Sequence, residues 1–280
     1  MPNKKAVLKS LKIEDLASTK QTSAVDLQGW NSESRLLLDC VDSISNPLIV
    51  EVGVWKGGSS LKMAEILARK KSEGVVISID TFLGSSEHYL QPELLSAVGV
   101  GPKDEIRLLR IFLDNIVGSR LQDWIIPLPL DSQSGFELLS RRSLQIDLVH
   151  VDAGHHYFPV YMDLVAGWGL LKAGGYMVCD DYNQSWPTVM SAVDDFLKTV
   201  DYADFKTDGL KCSFRKVGQT TITDSNLKID RLLFSHDTSE SAILRTQIVQ
   251  LNYQIRQMEM SLRWRMTEPL QKIKAKLKRP

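Results

Sequence analysis

The stretch IDLVHVDAGHHYFPVYMDLVAGWGLLKAGGYMVCDDY, Ile146 to Tyr182, decides the fold. Ile146 to Val151 is apolar except for Asp147 and His150 and stops at Asp152, as a strand buried on both faces does. A helix is predicted next. Pro159 fits its first turn, Val160, Leu164, Trp168 and Leu171 recur at helical spacing, and Gly174-Gly175 suit its C-terminal stop. A second buried strand, Tyr176 to Cys179, then ends in Asp180-Asp181. Strand, crossover helix and strand make a right-handed parallel unit, so both strands point their carboxyl ends the same way. Asp152, Asp180 and Asp181 are therefore expected at one rim of the sheet. Three carboxylates crowded there repel one another unless a hard divalent cation sits between them or one stays protonated, and the cation is the better reading. His155 and His156, three and four residues past Asp152, stand where a base can reach a bound substrate.

Working outward towards the N-terminus, Leu48 to Val52 reads as another buried strand, followed by EVGVWKGGSS, Glu51 to Ser60. Gly53 and Gly57 sit four apart before a helix predicted over 59–70. Glycines there let a ligand approach the backbone, and the helix N-terminus offers unpaired N–H groups. The spacing has neither the GxGxxG of dinucleotide folds nor the GK[ST] of a phosphate loop. It places Glu51 where a cationic amino group can be held; the competing reading is a glycine turn needed only for tight strand-to-helix packing. Val75 to Ile79 is the next strand, and Asp80 at its end stands where doubly wound folds bind ribose hydroxyls.

Thr81 to Gln122 is a long crossover, within which 82–101 is expected to form a flexible lid over the site. Trp124 to Leu130 reads as a strand that Pro127 and Pro129 make irregular or edge-facing, with Asp131-Ser132 at its carboxyl end. Trp186 to Lys198 is a helix with Pro187 at its start. The runs 203–207 and 212–217, separated by Asp208-Gly209, can close the sheet as an antiparallel pair. Before the sheet, Asn31 or Ser32 can cap a helix carrying Leu37, Cys40, Val41 and Ile44, which Asn46-Pro47 stops.

The organisation that follows is a loosely docked N-terminal arm over 1–30, an α/β domain over 31–217, a Thr/Ser/Asp-rich linker over 218–238 and a helical segment over 239–280. The fold class is a doubly wound, seven-stranded, mostly parallel sheet with a C-terminal coiled-coil helix and basic tail. In that last segment Leu244, Ile248, Leu251, Ile255, Met258 and Leu262 follow a heptad seam, too short alone, so residues 244–262 are expected to pair with a second copy or lie on the domain. Residues 263–280 carry seven Lys or Arg against Glu268, net +6, so the rest of this formally neutral chain totals −6. The basic segment suits an anionic membrane surface or an acidic partner, and the acidic remainder argues against nucleic acid. Cys40, Cys179 and Cys212 form neither a zinc pattern nor a disulfide framework, and no stretch is apolar enough for a signal peptide or a membrane span. A cytoplasmic protein, peripheral at most at the inner face of a membrane, is expected.

Together these residues resemble the class I S-adenosylmethionine-dependent methyltransferases. More narrowly, the chain is similar to the metal-dependent O-methyltransferases that include catechol O-methyltransferase and the macrolide-sugar enzymes of the macrocin and mycinamicin type. The resemblance covers about 36–217. It implies that Glu51, Gly53, Gly57 and Ser59, the ExGxxxGxS pattern, hold the methionine part of S-adenosylmethionine, that Asp80 takes the ribose hydroxyls, and that Ser132 lies near the adenine. It further implies that Asp152, Asp180 and Asp181 hold Mg²⁺ or another divalent cation. His155 matches the catalytic base of the sugar enzymes, with His156 as a second candidate, which points to a hydroxyl of a sugar or glycan as acceptor. Those enzymes often have Trp where this chain has Phe82, followed by Gly-Asp instead of Leu83-Gly84-Ser85, so a different acceptor pocket is implied. Separately, Ser261, Trp264, Arg265, Thr267, Pro269 and Leu270 resemble a short SxxWRxTxPL pattern found after coiled-coil segments in bacterial surface-polysaccharide enzymes. Two other readings stay open: a metal-independent small-molecule methyltransferase, and a catalytically silent scaffold in polysaccharide assembly.

Overall fold

The computed structural model describes residues 3–28, 30–101 and 105–218. The heptad stretch, the SxxWRxTxPL pattern and the basic tail lie outside the described residues. At the centre are seven strands: β1 (Leu48–Val52), β2 (Val75–Ile79), β3 (Ile125–Leu128), β4 (Ile146–Val151), β5 (Leu171–Cys179), β6 (Tyr202–Thr207) and β7 (Cys212–Lys216). Their order is β3-β2-β1-β4-β5-β7-β6. All pairs from β3 to β5 are parallel, and β7 runs antiparallel between β5 and β6. The doubly wound, mostly parallel sheet read from the sequence is the sheet observed. Pro127, which has no N–H to give a second neighbour, sits in β3 at the sheet edge, paired with Ser78 of β2 alone.

Register then fixes the site. Val52 lies opposite both Ile79 and Val151, and Val151 opposite Cys179, so the three inner strands and β2 end in one row. Gly53, Asp80, Asp152 and Asp180, the residues that follow, are delivered side by side. β1 and β2 are buried along their whole length, which is why their sequences read as unbroken apolar runs save for Glu51 and Ser78.

The helices are α1 (Lys4–Leu11), α2 (Arg35–Asp42), α3 (Gly58–Arg69), α4 (Ser86–Leu90), α5 (Arg107–Gly118), α6 (Ser132–Arg141), α7 (Tyr157–Leu170) and α8 (Pro187–Leu197). Three local expectations differ from what forms. Ser34, not Asn31 or Ser32, precedes α2, and its hydroxyl donates to Asp208 at 2.6 Å instead of capping. α7 stops at Leu170, before the glycine pair, because β5 starts early: Leu171 pairs with Ile146, the register then shifts, and Tyr176 pairs with Leu148. The shift absorbs Gly174, at φ +80°, and Gly175, where a Cβ would lie 2.9 Å from the Asp147 carbonyl oxygen. The N-terminal segment, expected as a loose arm, is pinned to α5. Asp114 accepts from the Thr22 backbone and hydroxyl at 2.7 and 2.9 Å, Asn115 accepts from the Asp26 N–H at 2.7 Å, and Val7 is fully buried.

Candidate active site

One cavity of about 1080 Å³ opens along the row of strand ends, lined from Gly53, Ser59, Asp80 and Ser132 on one bank to Asp152, His155, Asp180 and Asp181 on the other. On the first bank the glycine turn is set by geometry. Gly53 has φ +81°, and a Cβ there would lie 1.9 Å from the Asp152 carbonyl oxygen; Gly57 has φ +92°, and its Cβ would meet the Phe112 ring at 2.4 Å. Only glycine fits either position. Between them Trp55 also takes a left-handed φ of 51°, a strained choice for a large residue and a frequent mark of a functional turn. Asp80 holds this turn: one carboxylate oxygen accepts from the Val54 and Trp55 N–H groups at 2.7 and 3.1 Å, the other from Phe82 at 2.7 Å.

Several features of this bank fit a bound nucleoside carrying an amino acid. α3 begins on Gly57 with no side-chain cap, leaving its first N–H groups for a carboxylate. Trp55 Nε1, in the cavity wall, is buried with no partner among the described residues. Ser132 Oγ and Gln133 Nε2 both donate to one oxygen of Asp163, at 2.6 and 2.8 Å, and burial pushes the Asp163 pKa up to about 7 despite those bonds. Glu51, expected to face a cationic amino group, lies behind the wall instead. It is fully buried, accepts short hydrogen bonds from Ser59 and Ser60, and pairs with His150 Nδ1 at 3.0 Å.

On the second bank the acids converge as the parallel unit requires, but two of them, Asp180 and Asp181, already have basic partners. Lys211, fully buried at the end of the β6–β7 hairpin, forms a short ion pair with Asp180, and its Nζ is 3.3 Å from His150 Nε2. Burial works most strongly against the Asp180 charge, yet Lys211, His150 and the hydrogen bonds the carboxylate accepts from Lys211 and the Asp181 N–H together outweigh it and hold the pKa below the usual carboxylate range. Asp152 moves the other way: burial, then the nearby Asp180 charge, drive its pKa well above the ordinary value. Asp181 pairs with His155 Nε2 at 2.9 Å, and Glu87 of α4 reaches His155 Nδ1 at 2.9 Å. Burial tends to discharge His155, but Asp181 and Glu87 overcome it and raise its pKa. Trp186 stacks on the ring at 3.9 Å. His156, the second base candidate, is exposed, occupies the N-cap position of α7 and is not in the cavity wall.

This donor set does not fit the expected divalent cation. A doubly charged ion on Asp180 would lie about 5 Å from the Lys211 ammonium and be repelled by roughly 7 kcal/mol at an effective dielectric of about 20. Glu51, His150 and Asp152 do place ligand atoms within 4.8 Å of one another, yet Glu51 is saturated by Ser59, Ser60 and His150, and His150 by Glu51 and Lys211.

The segment expected as a lid lines the cavity with Gly84, Ser85, Glu87 and His88. His88 stacks on Trp55 at 4.1 Å while Glu87 holds His155, so α4 touches both banks. Glu87, Lys211, Trp55, Asp163 and Trp186 escaped the sequence reading. Trp55, an aromatic between two turn glycines, offered a signal; Lys211 and Glu87 look like ordinary surface charges.

Residues 50–182 match a family described as "Methyltransferase domain". A mimivirus protein of Acanthamoeba polyphaga, the uncharacterized protein R132, is 25% identical over 175 residues, 61% of this chain and 69% of that one. Among solved structures, an O-methyltransferase from Bacillus cereus in complex with SAH aligns at 14% identity and TM-score 0.47, over 77% of this chain and 93% of that one. A SAM-dependent O-methyltransferase from Thermotoga maritima aligns at 13% and 0.47, over 73% and 69%. Among the described residues no helix is long and apolar enough to cross a membrane. The family match falls on the strands and turns that build the cavity, so the segment that lines it is similar to a methyltransferase domain.

Proposed function

We propose that this chain is an O-methyltransferase that moves a methyl group from S-adenosylmethionine to a hydroxyl of a sugar or glycan. The observation that carries the proposal is the single cavity: the glycine turn and Asp80 share it with His155 and Asp181, so donor and base face one space. Gly53, the N-terminus of α3, Asp80 and Ser132 would hold the cofactor, which when bound supplies a methyl group already activated on a sulfonium. Once the acceptor hydroxyl replaces Asp181 as the partner of Nε2, His155 takes its proton there as its oxygen bonds to the methyl carbon and the carbon–sulfur bond breaks towards sulfur. Glu87 orients the ring from Nδ1, and Asp181 stabilises the imidazolium that results. Much of the rate comes from positioning, since the donor needs no further activation.

A sugar suits the acceptor bank, which offers the Trp186 face beside Asn183, Gln184 and Ser185, an apolar plate flanked by hydroxyl partners. The metal-assisted form of this chemistry is the weaker reading because Lys211 already balances Asp180. The heptad over 244–262 and the basic stretch 263–280 add a proposed route to a second copy and to an anionic membrane. The test is turnover of labelled S-adenosylmethionine on nucleotide sugars, glycan fragments and catechols, with and without EDTA, beside calorimetric titration of SAH. Sugar methylation indifferent to EDTA is expected. Product on catechols alone would remove the sugar assignment, loss of turnover in EDTA would restore the cation, and SAH binding without turnover on any acceptor would favour a silent scaffold.

A further inference from the structure

A buried chain of polar contacts runs behind the cavity wall, from the hydroxyls of Ser59 and Ser60 through Glu51 and His150 to Lys211 and Asp180. Its end is rigidly placed. The Lys211 N–H donates to Asp208 Oδ1 at 2.8 Å, and its carbonyl accepts from the Thr207 hydroxyl at 2.8 Å and the Asp208 N–H at 3.2 Å. Residue 211 directly precedes β7, whose Cys212 lies opposite Cys179, so the antiparallel register delivers the lysine beside Asp180, the residue that follows β5. Water does not reach it, and neither can a substrate.

Resting on the methyltransferase reading above, we propose that the Lys211 ammonium takes the place of a divalent cation between the ends of β4 and β5. The substitution changes what the site can recognise. A metal ion can bind two neighbouring oxygens of an acceptor and so selects diols, catechols and hydroxy acids. A lysine sealed behind Asp180 fixes the carboxylate charge but coordinates nothing on the substrate. The acceptor hydroxyl is then placed by His155 and Asp181 on the open side, and no neighbouring oxygen is required. The acceptors are compounds with an isolated hydroxyl as readily as diols. Lys211 is a positioning residue: it holds Asp180 ionised and directed inward and never meets the reacting atoms.

The test uses the full chain with Mn²⁺ as the probe, read by electron paramagnetic resonance and by thermal shift, neither of which depends on turnover. The unaltered protein is expected to bind no Mn²⁺ at this centre. Lys211→Met leaves Asp180 unbalanced and should bind Mn²⁺ at least about tenfold more tightly than the unaltered protein. Lys211→Arg, which keeps the charge, should gain nothing. Mn²⁺ binding by the unaltered protein that Asp180→Asn abolishes overturns the proposal, and so does a folded Lys211→Met that gains none. Should Lys211→Met not fold, the unaltered protein with its Asp180→Asn control decides alone. Paired acceptors with and without a hydroxyl next to the methylated one complete the test: similar kcat/KM supports the proposal, and a loss of about a hundredfold for the isolated hydroxyl refutes it. Failure to bind SAH would strike the methyltransferase reading and leave the Mn²⁺ result standing.

Discussion

The two banks of the cavity neutralise their carboxylates by different means. On the donor bank Asp80 is satisfied by three backbone N–H groups from Val54, Trp55 and Phe82, all within 26 residues of it in the chain. On the acceptor bank Asp180 and Asp181 meet basic side chains, Lys211 from the far hairpin and His155 from beyond β4, with one further bond from the Asp181 N–H to Asp180. Backbone donors cannot titrate or be exchanged by a point substitution, whereas side-chain cations can do both. The glycine turn that Asp80 holds should therefore fail all at once when its backbone is forced, and the acceptor bank's activity should respond to chemistry and pH.

The sharpest separation comes from His155→Ala. Removing the base should lower kcat by about a thousandfold, within the usual range for a positioned acid–base group, and leave SAH affinity within about twofold. A parallel loss of SAH binding would mean that the banks are not independent. Gly53→Ala should do the reverse. The left-handed φ and the collision with the Asp152 carbonyl together cost roughly 3 kcal/mol, about a hundredfold in SAH affinity by calorimetry. An unchanged titration would show that the turn does not contact the cofactor.

Asp163 tests the donor bank by pH. Its folded pKa, about 7, lies above the unfolded carboxylate value, so its favourable contribution is complete below about pH 4 and is lost as pH rises through 7. Asp163→Asn keeps an oxygen to accept from Ser132 and cannot ionise. It should match the unaltered protein in urea unfolding near pH 4 and exceed it by on the order of 2 kcal/mol at pH 9. Equal stability at both would mean that Asp163 is more solvated than its surroundings imply.

The same contrast explains what could be read in advance. The donor bank is written contiguously, strand, glycine turn, helix, strand and acid, and each step has a local pattern. The acids of the acceptor bank were equally visible, because strand ends in a parallel unit must line up. Their partners were not. Lys211 lies in Asp208-Gly209-Leu210-Lys211, a hairpin turn where a lysine ordinarily points to water, and only the insertion of β7 between β5 and β6 turns it inward. Three acids without a visible cation read as a metal site for that reason. The docking of the N-terminal segment was hidden for a similar reason: Asp114 and Asn115 sit within an amphipathic helix, and nothing local says that their partners are Thr22 and Asp26.

The gentlest probe of the comparison is Glu87→Gln, which touches the link from α4 to the base. As a base His155 works when neutral, and its pKa is raised, so activity should climb with pH through a midpoint above the ordinary histidine value. Asp181 at Nε2 and Glu87 at Nδ1 are the two carboxylates in contact with the ring, and Trp186 covers one face without charge. Glutamine can still accept from Nδ1 but brings no charge, so the acidic limb of the kcat/KM profile should move towards lower pH while the plateau changes less than about threefold. At a pH below the original midpoint the variant would then be the faster enzyme. A lost plateau with an unmoved limb would instead mean that Glu87 places α4 over the acceptor and has no electrostatic hold on the base.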